Sequence, residues 1–427
     1  VTDSLFDALP INPAIRGRKP SATLTIHELS QALESQGKQV FKVGFGQSPF
    51  PVPAPVVEAL QANASRKEYL PVKGLGALRE AVASHHRDID GISCNSDDVL
   101  IGPGSKELMF LLELVVVADV LIPSPSWVSY APQAEILGRR VVWIPAPRES
   151  GWRPAAEAID AIGSEDRSRP RLLILNYPNN PTGLTYTPDE LSAIADVARR
   201  RQLLVLSDEI YGRLHYQGAH VSIARYYPEG TIISSGLSKW CGAGGWRLGT
   251  FVVPAALREL RERIATCASE TYTTASAPVQ YAAVRAYEGG PAIGEYLDRS
   301  RRILKALGEF VATRLREAGV AAANPEGGFY LLPDFSPHAD SFHRRGIQTG
   351  AEMCRRLLEE TGVALLPGSE FGRPASEFTA RFCFVDFDGE NCLARIKDSG
   401  GAIGEAFLRE HCGKVTTAAD LIAAWIR

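Results

Sequence analysis

The chain has no Cys-X-X-Cys pair and no histidine–cysteine pairing at metal-site spacing, and its seven cysteines are scattered. An odd, dispersed set argues for a reduced, cytoplasmic protein rather than a disulfide framework. No run of about 18 apolar residues occurs, so no membrane span is expected. The formal net charge of -3 leaves no basic footprint for nucleic acid. Internal repeats and low-complexity linkers are also missing, and Val1-Thr2-Asp3-Ser4 lacks the charged-then-apolar pattern of a signal peptide. His85-His86 is a tempting metal pair. Adjacent residues on a helix point in different directions, however, so a solvated surface pair and no metal are expected.

What is present is ordinary globular material in quantity. The 427 residues are 45% hydrophobic and 22% charged, enough for two or three domains' worth of core. Short apolar runs at Val99–Ile101, Val120–Ile122, Leu172–Leu175, Leu203–Leu206, Ile232–Ile233 and Gly249–Val253 lack alternation. They read as parallel strands covered on both faces. Helical stretches lie between them. In the clearest, Pro188–Arg201, Thr187 is a good N-cap and Glu190 completes a capping box. Strands alternating with helices predict an α/β fold. After residue 300 or so, a long helix from about Glu295 to Ala318 leads into Gly327–Pro333, a helix near Ala351–Thr361, the segments Gly362–Pro367 and Arg381–Val385, and a terminal helix near Ala418–Ile426. The expected division is therefore residues 46–300 as a large domain and 301–427 as a smaller α+β domain, with residues 1–45 packing on the smaller one. Gly400-Gly401 interrupts the final stretch.

Polar signals follow the strands one after another. Gly104-Ser105-Lys106 follows the first, Trp127 the second, Asn180 the third, Asp208 and Tyr211 the fourth, and Lys239 the fifth. Ligands in open α/β sheets bind at the carboxyl ends of strands, and five site elements on one edge are more than coincidence. Lys239 lies in Ser234-Ser235-Gly236-Leu237-Ser238-Lys239, with Arg247 eight residues on in a glycine-rich stretch. A lysine amine forms a Schiff base with an aldehyde, small neighbours admit a bulky cofactor, and an arginine there holds a phosphate. That combination points to pyridoxal phosphate (PLP). PLP chemistry also needs an electron sink, a phosphate cradle and a grip on the substrate carboxylate. Asp208 suits the sink, because a carboxylate beside the pyridine nitrogen keeps it protonated; Glu209 competes locally, but alternation turns it away. Gly104-Ser105-Lys106 opens an apolar helix, and backbone N–H groups at such a start bind phosphate. Trp127 can stack on a flat ring. Asn180 and Tyr211 can both donate to a phenolate oxygen. Phe45, Phe50, Tyr130, Tyr272 and Phe329 lie near these motifs and hint at an apolar or aromatic substrate side chain, though core positions explain them equally well.

On these residues the chain resembles the class I/II aminotransferases of PLP fold type I, relatives of aspartate and aromatic aminotransferases. The resemblance runs from about Ser21 to Val385. It is carried by Gly44–Pro53, Tyr69 to Arg79, Gly104–Lys106, Pro123–Tyr130, Asn176–Gly183, Asp208–Tyr211, Ser235–Gly249, Gly327–Pro333 and Arg381. It implies a large domain with a mixed, mainly parallel sheet flanked by helices, plus a smaller α+β domain. It further implies ping-pong transfer of an amino group between an L-amino acid and a 2-oxo acid, with Lys239 as Schiff-base residue and proton shuttle. Asp208 then pairs with the pyridine nitrogen, and Asn180 and Tyr211 contact the phenolate oxygen. Trp127 stacks on the ring, and Ser105, Lys106, Ser238 and Arg247 lie at the phosphate. Tyr69 reaches the phosphate of a neighbouring subunit in a homodimer with shared sites. Arg381 clamps the substrate α-carboxylate, and Gly46 offers backbone across from it. The same scaffold supports a PLP-dependent lyase, decarboxylase or oxidase as the alternative. Four departures stand out. Gly236 replaces a serine found in some relatives, Leu112–Ile122 is shorter than usual, the tail after Asp388 matches no part of the pattern, and no extra cation marks a dicarboxylate substrate.

Overall fold

In the computed structural model, residues 12–16, 22–162, 169–398 and 403–427 are described. Gly400-Gly401 and the first residues lie outside them. Among the described residues there are ten strands: β1 (Val99–Gly102), β2 (Asp119–Ser124), β3 (Val141–Pro145), β4 (Arg171–Asn176), β5 (Leu204–Asp208), β6 (Thr231–Gly236), β7 (Gly249–Val252), β8 (Tyr330–Leu331), β9 (Leu366–Pro367) and β10 (Ala380–Cys383). The first seven form one sheet in the order β1-β7-β6-β5-β4-β2-β3, and the last three a small antiparallel sheet, β8-β10-β9.

The sequence reading is corrected in two places. The edge strand β3 was not anticipated. The second correction concerns β7, which runs antiparallel to both β1 and β6. All other pairings in the large sheet are parallel. The reversal matters for the site. Residues preceding β7 arrive at the edge where residues following the other strands leave. Gly249 sits there opposite both Gly102 and Gly236. A Cβ at Gly249 would lie 2.1 Å from the Ser105 amide nitrogen, so only glycine lets the helix start press on the strand.

Helices cover both faces of the large sheet. On one, Leu108, Met109 and Leu112 from the Ser105–Val115 helix pack with Ile122, Ile174, Ile264 and Ala268. On the other, Leu191, Ile194 and Ala198 of the Pro188–Arg201 helix pack with Leu173, Leu175 and Val205. Each fully buried aliphatic side chain contributes roughly 1.5–3 kcal/mol. The Pro188 helix starts as its sequence dictates. Glu190 N–H donates to Thr187 Oγ1 at 3.2 Å, and Thr187 N–H donates to Glu190 Oε2 at 2.7 Å.

The small sheet rests on the long Pro291–Glu317 helix and the Gly350–Thr361 helix. The terminal Gly413–Trp425 helix joins the same core through Val415, Ala418, Ala419 and Ile422. Asp420 binds Arg314, and Trp425 Nε1 donates to Glu360 at 2.7 Å. At the other end, Leu33 and Val40 cluster with Leu358 and Ala364, and Phe41 bridges to Val363. From Phe41 the chain runs on past Gly44 and Gly46 toward the large sheet.

Glu113 is an exception within this core. It is 1% exposed, and neither carboxylate oxygen has a hydrogen-bond partner among the described residues. Burial pushes its carboxyl up to about 8. The unfolded chain releases this proton near the usual carboxylate value, while the folded chain keeps it until about pH 8. Stability therefore falls as pH rises through that window and is flat beyond it. Glu113→Gln removes the ionisation. The melting temperature of the variant relative to wild type should rise steadily between pH 5 and 8, and a pH-independent difference would contradict a buried, protonated Glu113.

Candidate active site

The carboxyl edge of the large sheet encloses a cavity of about 430 Å³, within the range of small-molecule sites. Segments following β1, β2, β4, β5 and β6 line it, and Arg247 enters from the segment before the reversed β7. Ser105, Lys106, Trp127, Asn180, Asp208, Tyr211, Ser238, Lys239, Arg247 and Gly46 all reach this one space.

Lys239 occupies its floor. Its Nζ donates to the Gly46 carbonyl at 2.8 Å. Burial, with Arg381 nearby, pulls the amine down from 10.5 to about 8, so a neutral, nucleophilic form is accessible near neutrality. Gly46 has no room for a side chain, since a Cβ would lie 2.2 Å from the Tyr330 hydroxyl. Two residues earlier, the Gly44 carbonyl accepts from Arg381 Nη2 at 2.7 Å. One extended segment thus holds both inner cations.

Asp208 ends β5 and is 3% exposed. Its Oδ2 accepts from the Tyr130 hydroxyl at 2.5 Å, and Oδ1 accepts from the Ile210 amide at 3.3 Å. Burial raises its carboxyl to about 6, while Tyr130, the Ile210 amide and Lys239 pull the other way. Asn176 Nδ2 donates to the Asp208 carbonyl at 2.9 Å, and Asn176 Oδ1 accepts from the Asn180 amide at 2.8 Å. The Asn180 turn is therefore tied to the strand carrying Asp208. Asn180 Oδ1 accepts from Arg381 Nη1 at 2.9 Å, which leaves the Asn180 NH₂ group for the cavity. Arg381 lies between the Tyr330 and Phe371 rings, 5.0 and 4.9 Å from their centroids, and its Nε has no partner. Tyr211 shares a 2.7 Å hydroxyl–hydroxyl contact with Tyr330.

The opposite wall is cationic. Gly104 precedes the Ser105–Val115 helix, whose first turn faces Arg247. Lys106 Nζ stands 4.8 Å from the Trp127 ring centroid, and no carboxylate pairs with it among the described residues. Gly244 and Gly245 leave space beside Ser238.

Several expectations change. Tyr130 lines the cavity but commits its hydroxyl to Asp208. Phe50 packs edge-on against Tyr296 and Phe387, and Phe329 is fully buried. Phe50 is thereby a core residue, whereas the Phe329 ring lies 5.7 Å from Lys239 Nζ. His86 is no surface residue: it is 4% exposed, with Nδ1 2.7 Å from Asp90. Burial drives neighbouring His85 down to about 3. A serine at Gly236 would put Cβ 2.5 Å from the Leu248 carbonyl, so the close β6–β7 approach excludes it. Tyr69 is 87% exposed and outside the cavity. Gln47, Ile210, Asn176 and Tyr330 were not anticipated as site residues. For Tyr330, the Gly327–Pro333 motif was the available signal.

The residues present fit PLP. The close-packed junction of Gly249 with Ser105 sets a helix N-terminus beside Arg247, as a phosphate requires. A buried carboxylate and a lysine of lowered proton affinity meet in this enclosure, and Arg381 stands behind its lining, bound to Asn180.

Comparisons with known proteins agree. The family model for aminotransferase class I and II matches residues 38–392. An aspartate aminotransferase of Bacillus sp. (strain YM-2) is 33% identical over 368 residues, covering 84% of this chain and 91% of the relative. An aspartate/prephenate aminotransferase of Thermus thermophilus is 30% identical over 362 residues, covering 84% and 90%. Among solved structures, the aspartate aminotransferase from Thermus thermophilus with maleate superposes with a TM-score of 0.80 at 28% identity, covering 92% of this chain and 98% of that one. The chain belongs to the class I and II aminotransferase family and is a PLP-dependent aminotransferase of fold type I.

Proposed function

We propose that the enzyme moves the amino group of L-aspartate, or a closely similar dicarboxylic amino acid, to a 2-oxo acid by a ping-pong route in the cavity around Lys239. When bound, PLP supplies an aldehyde that captures amines and a ring that withdraws electrons. The chain's own residues supply the rest. Lys239 Nζ takes the proton from the substrate α-carbon and later gives it up. Its lowered proton affinity suits it to both directions. Asp208, oriented by Tyr130, presents a carboxylate to the ring nitrogen. Asn180 and Tyr211 donate to the phenolate oxygen, and Trp127 covers the ring. Ser105, Ser238, Arg247 and the Gly104–Ser105 backbone hold the phosphate. Arg381, with Nη1 and Nη2 held by Asn180 and Gly44, offers its remaining N–H groups to the α-carboxylate.

The observation that carries the dicarboxylate is Lys106. It is an exposed cation at the cavity wall over the Trp127 ring, with no carboxylate paired to it among the described residues. Relatives named as aspartate aminotransferases and the maleate complex support the same class. A charge-assisted hydrogen bond to a distal carboxylate contributes roughly 1.5–3 kcal/mol. Lys106→Met should therefore raise KM for aspartate by about 10- to 100-fold and leave alanine turnover near wild type. Equal losses for both donors would place Lys106 on the phosphate alone and remove the argument for a dicarboxylate.

The exposure of Tyr69 supports a homodimer in which this ring reaches the neighbouring subunit's phosphate. A fully active single-chain particle in sedimentation would exclude it. The division into residues 46–300, residues 301–427 and an N-terminal segment through 45 follows the two sheets, and a cytoplasmic setting follows the free cysteines. No helix among the described residues is long and apolar enough to cross a membrane.

A further inference from the structure

Behind the cavity, on the other side of the strand ends, lies a second polar cluster that the reaction above does not use. Its centre is Glu209, the residue after Asp208, 5% exposed. Glu209 Oε1 accepts from Ser222 Oγ at 2.5 Å, from Ser207 Oγ at 2.7 Å and from Tyr177 OH at 3.3 Å. Oε2 pairs with His220 Nε2 at 2.8 Å. Tyr177 OH also meets Ser207 Oγ at 2.9 Å and accepts from the Ile223 amide at 2.8 Å. The Glu209 amide donates to the Ser234 carbonyl of β6 at 2.8 Å.

These partners are not scattered. Ser207 and Glu209 flank Asp208. Tyr177 follows Asn176, which binds both the Asp208 carbonyl and the Asn180 amide. Ser234 lies five residues before Lys239 on the neighbouring strand. We infer that Glu209 is a positioning residue: one buried carboxylate that locks the end of β5 to the Tyr177 turn after β4 from behind, while its own amide ties them to β6, and so sets the aim of Asp208 and Asn180 into the cavity. The inference rests on the assignment of Asp208 to the ring nitrogen made above.

Stability alone does not account for this arrangement. A buried charged pair is on balance no more stabilising than apolar packing of the same volume. Charge adds a second role. The Glu209 anion raises the proton affinity of Asp208, and Glu209 in turn raises that of His220 despite burial. The other groups facing His220 are Asp90, which favours its cation, and Arg225 and His215, which oppose it. The Tyr177 ring lies 5.3 Å away. His220 and Glu209 face each other at 2.8 Å, so the charge on His220 bears on Glu209 and, through it, on Asp208.

The test uses holoenzyme at saturating PLP and compares Glu209→Gln, His220→Gln, Ser222→Ala and Asp208→Asn. Glu209→Gln keeps the shape but puts an NH₂ group among four donors. Small displacements of reacting groups cost up to about 100-fold, and outer partners of site ligands typically about 10- to 100-fold. Glu209→Gln should lower kcat by about 10- to 100-fold with KM changed less than about threefold, and should shift the pH midpoint of the visible cofactor band. His220→Gln should shift the same midpoint with a smaller kcat loss. If Glu209→Gln does not fold, His220→Gln and Ser222→Ala decide by the same readouts. Folded variants that melt earlier but keep wild-type kcat and band midpoint would show packing alone and overturn the inference. A near-normal Asp208→Asn would instead overturn the Asp208 assignment, whereas an inactive Asp208→Asn beside a normal Glu209→Gln would overturn only this step.

Discussion

Lys239→Ala should abolish transamination and the visible absorbance of bound cofactor while leaving a folded and more stable protein. The size of the loss follows from two roles ending together. A positioned general acid–base contributes about 10²- to 10⁴-fold, and the covalent attachment that precedes it depends on the same amine. A loss of about 10⁴-fold or more is expected. The gain in stability follows from burial. Lys239 is held down to about 8 against an ordinary value of 10.5. Between those values the unfolded chain binds a proton that the folded chain does not, so stability rises with pH there. Below pH 8 both states are protonated and the folded state bears the cost of a buried cation beside Arg381. Alanine removes that cost. Cofactor-free Lys239→Ala should therefore melt above cofactor-free wild type at pH 7, with the difference shrinking above pH 8. Turnover near the wild-type rate would refute the assignment. An inactive variant that melts lower would contradict the buried-cation account.

How much of this was legible in the residues depends on what each one had to reveal. Strands buried on both faces show themselves as unbroken apolar runs, and β1, β2, β4, β5, β6 and β7 were found that way. Strand β3 was not, because Trp143 and Pro145 are exposed while Ile144 is buried, and a half-exposed edge strand five residues long has no distinctive pattern. The direction of β7 is written in no local propensity. It follows from contact of Gly249 with the Ser105 amide, a tertiary fact. Motif residues such as Asn180, Asp208, Lys239 and Arg247 were legible because their types suit the cofactor and follow strand ends. Tyr130 was read as a generic aromatic, since nothing in a tyrosine says whether its hydroxyl will meet a carboxylate 78 residues away. The place of Lys106 at a helix start points to the phosphate; that no acidic partner meets it among the described residues needed coordinates. His86 went wrong for a different reason. Its pairing with Asp90 at i, i+4 is a helical spacing visible in the sequence, and adjacency to His85 says nothing about it.

Asp208→Asn should separate stability from function in the opposite sense to an ordinary core substitution. In the cofactor-free protein, burial raises the Asp208 carboxyl from 3.8 to about 6. The unfolded chain loses its proton first, so stability falls as pH rises between those values and stays reduced above about 6. A shift of that size corresponds to about 2–3 kcal/mol. Asparagine cannot ionise, so the cofactor-free variant should melt above wild type at pH 7 and match it below pH 4. Function moves the other way. Tyr130 donates to Oδ2 and the Ile210 amide to Oδ1, and the stronger of these holds an asparagine with its oxygen toward Tyr130. The NH₂ group then replaces the oxygen on the other branch, where it meets the Ile210 amide as a second donor and offers the ring nitrogen a donor instead of an anion. Loss of a charge-assisted hydrogen bond costs roughly 1.5–3 kcal/mol, or about 10- to 150-fold. The reversed polarity adds to that, so kcat should fall by about 100-fold or more. PLP should also raise the melting temperature of the variant less than that of wild type, because the cation that relieves Asp208 in the wild type has no anion to meet. Tyr130→Phe provides the control. It frees Oδ2 but keeps the charge, and should lose less activity than Asp208→Asn. A variant with wild-type kcat and a full PLP-induced rise in melting temperature would remove Asp208 from the reaction.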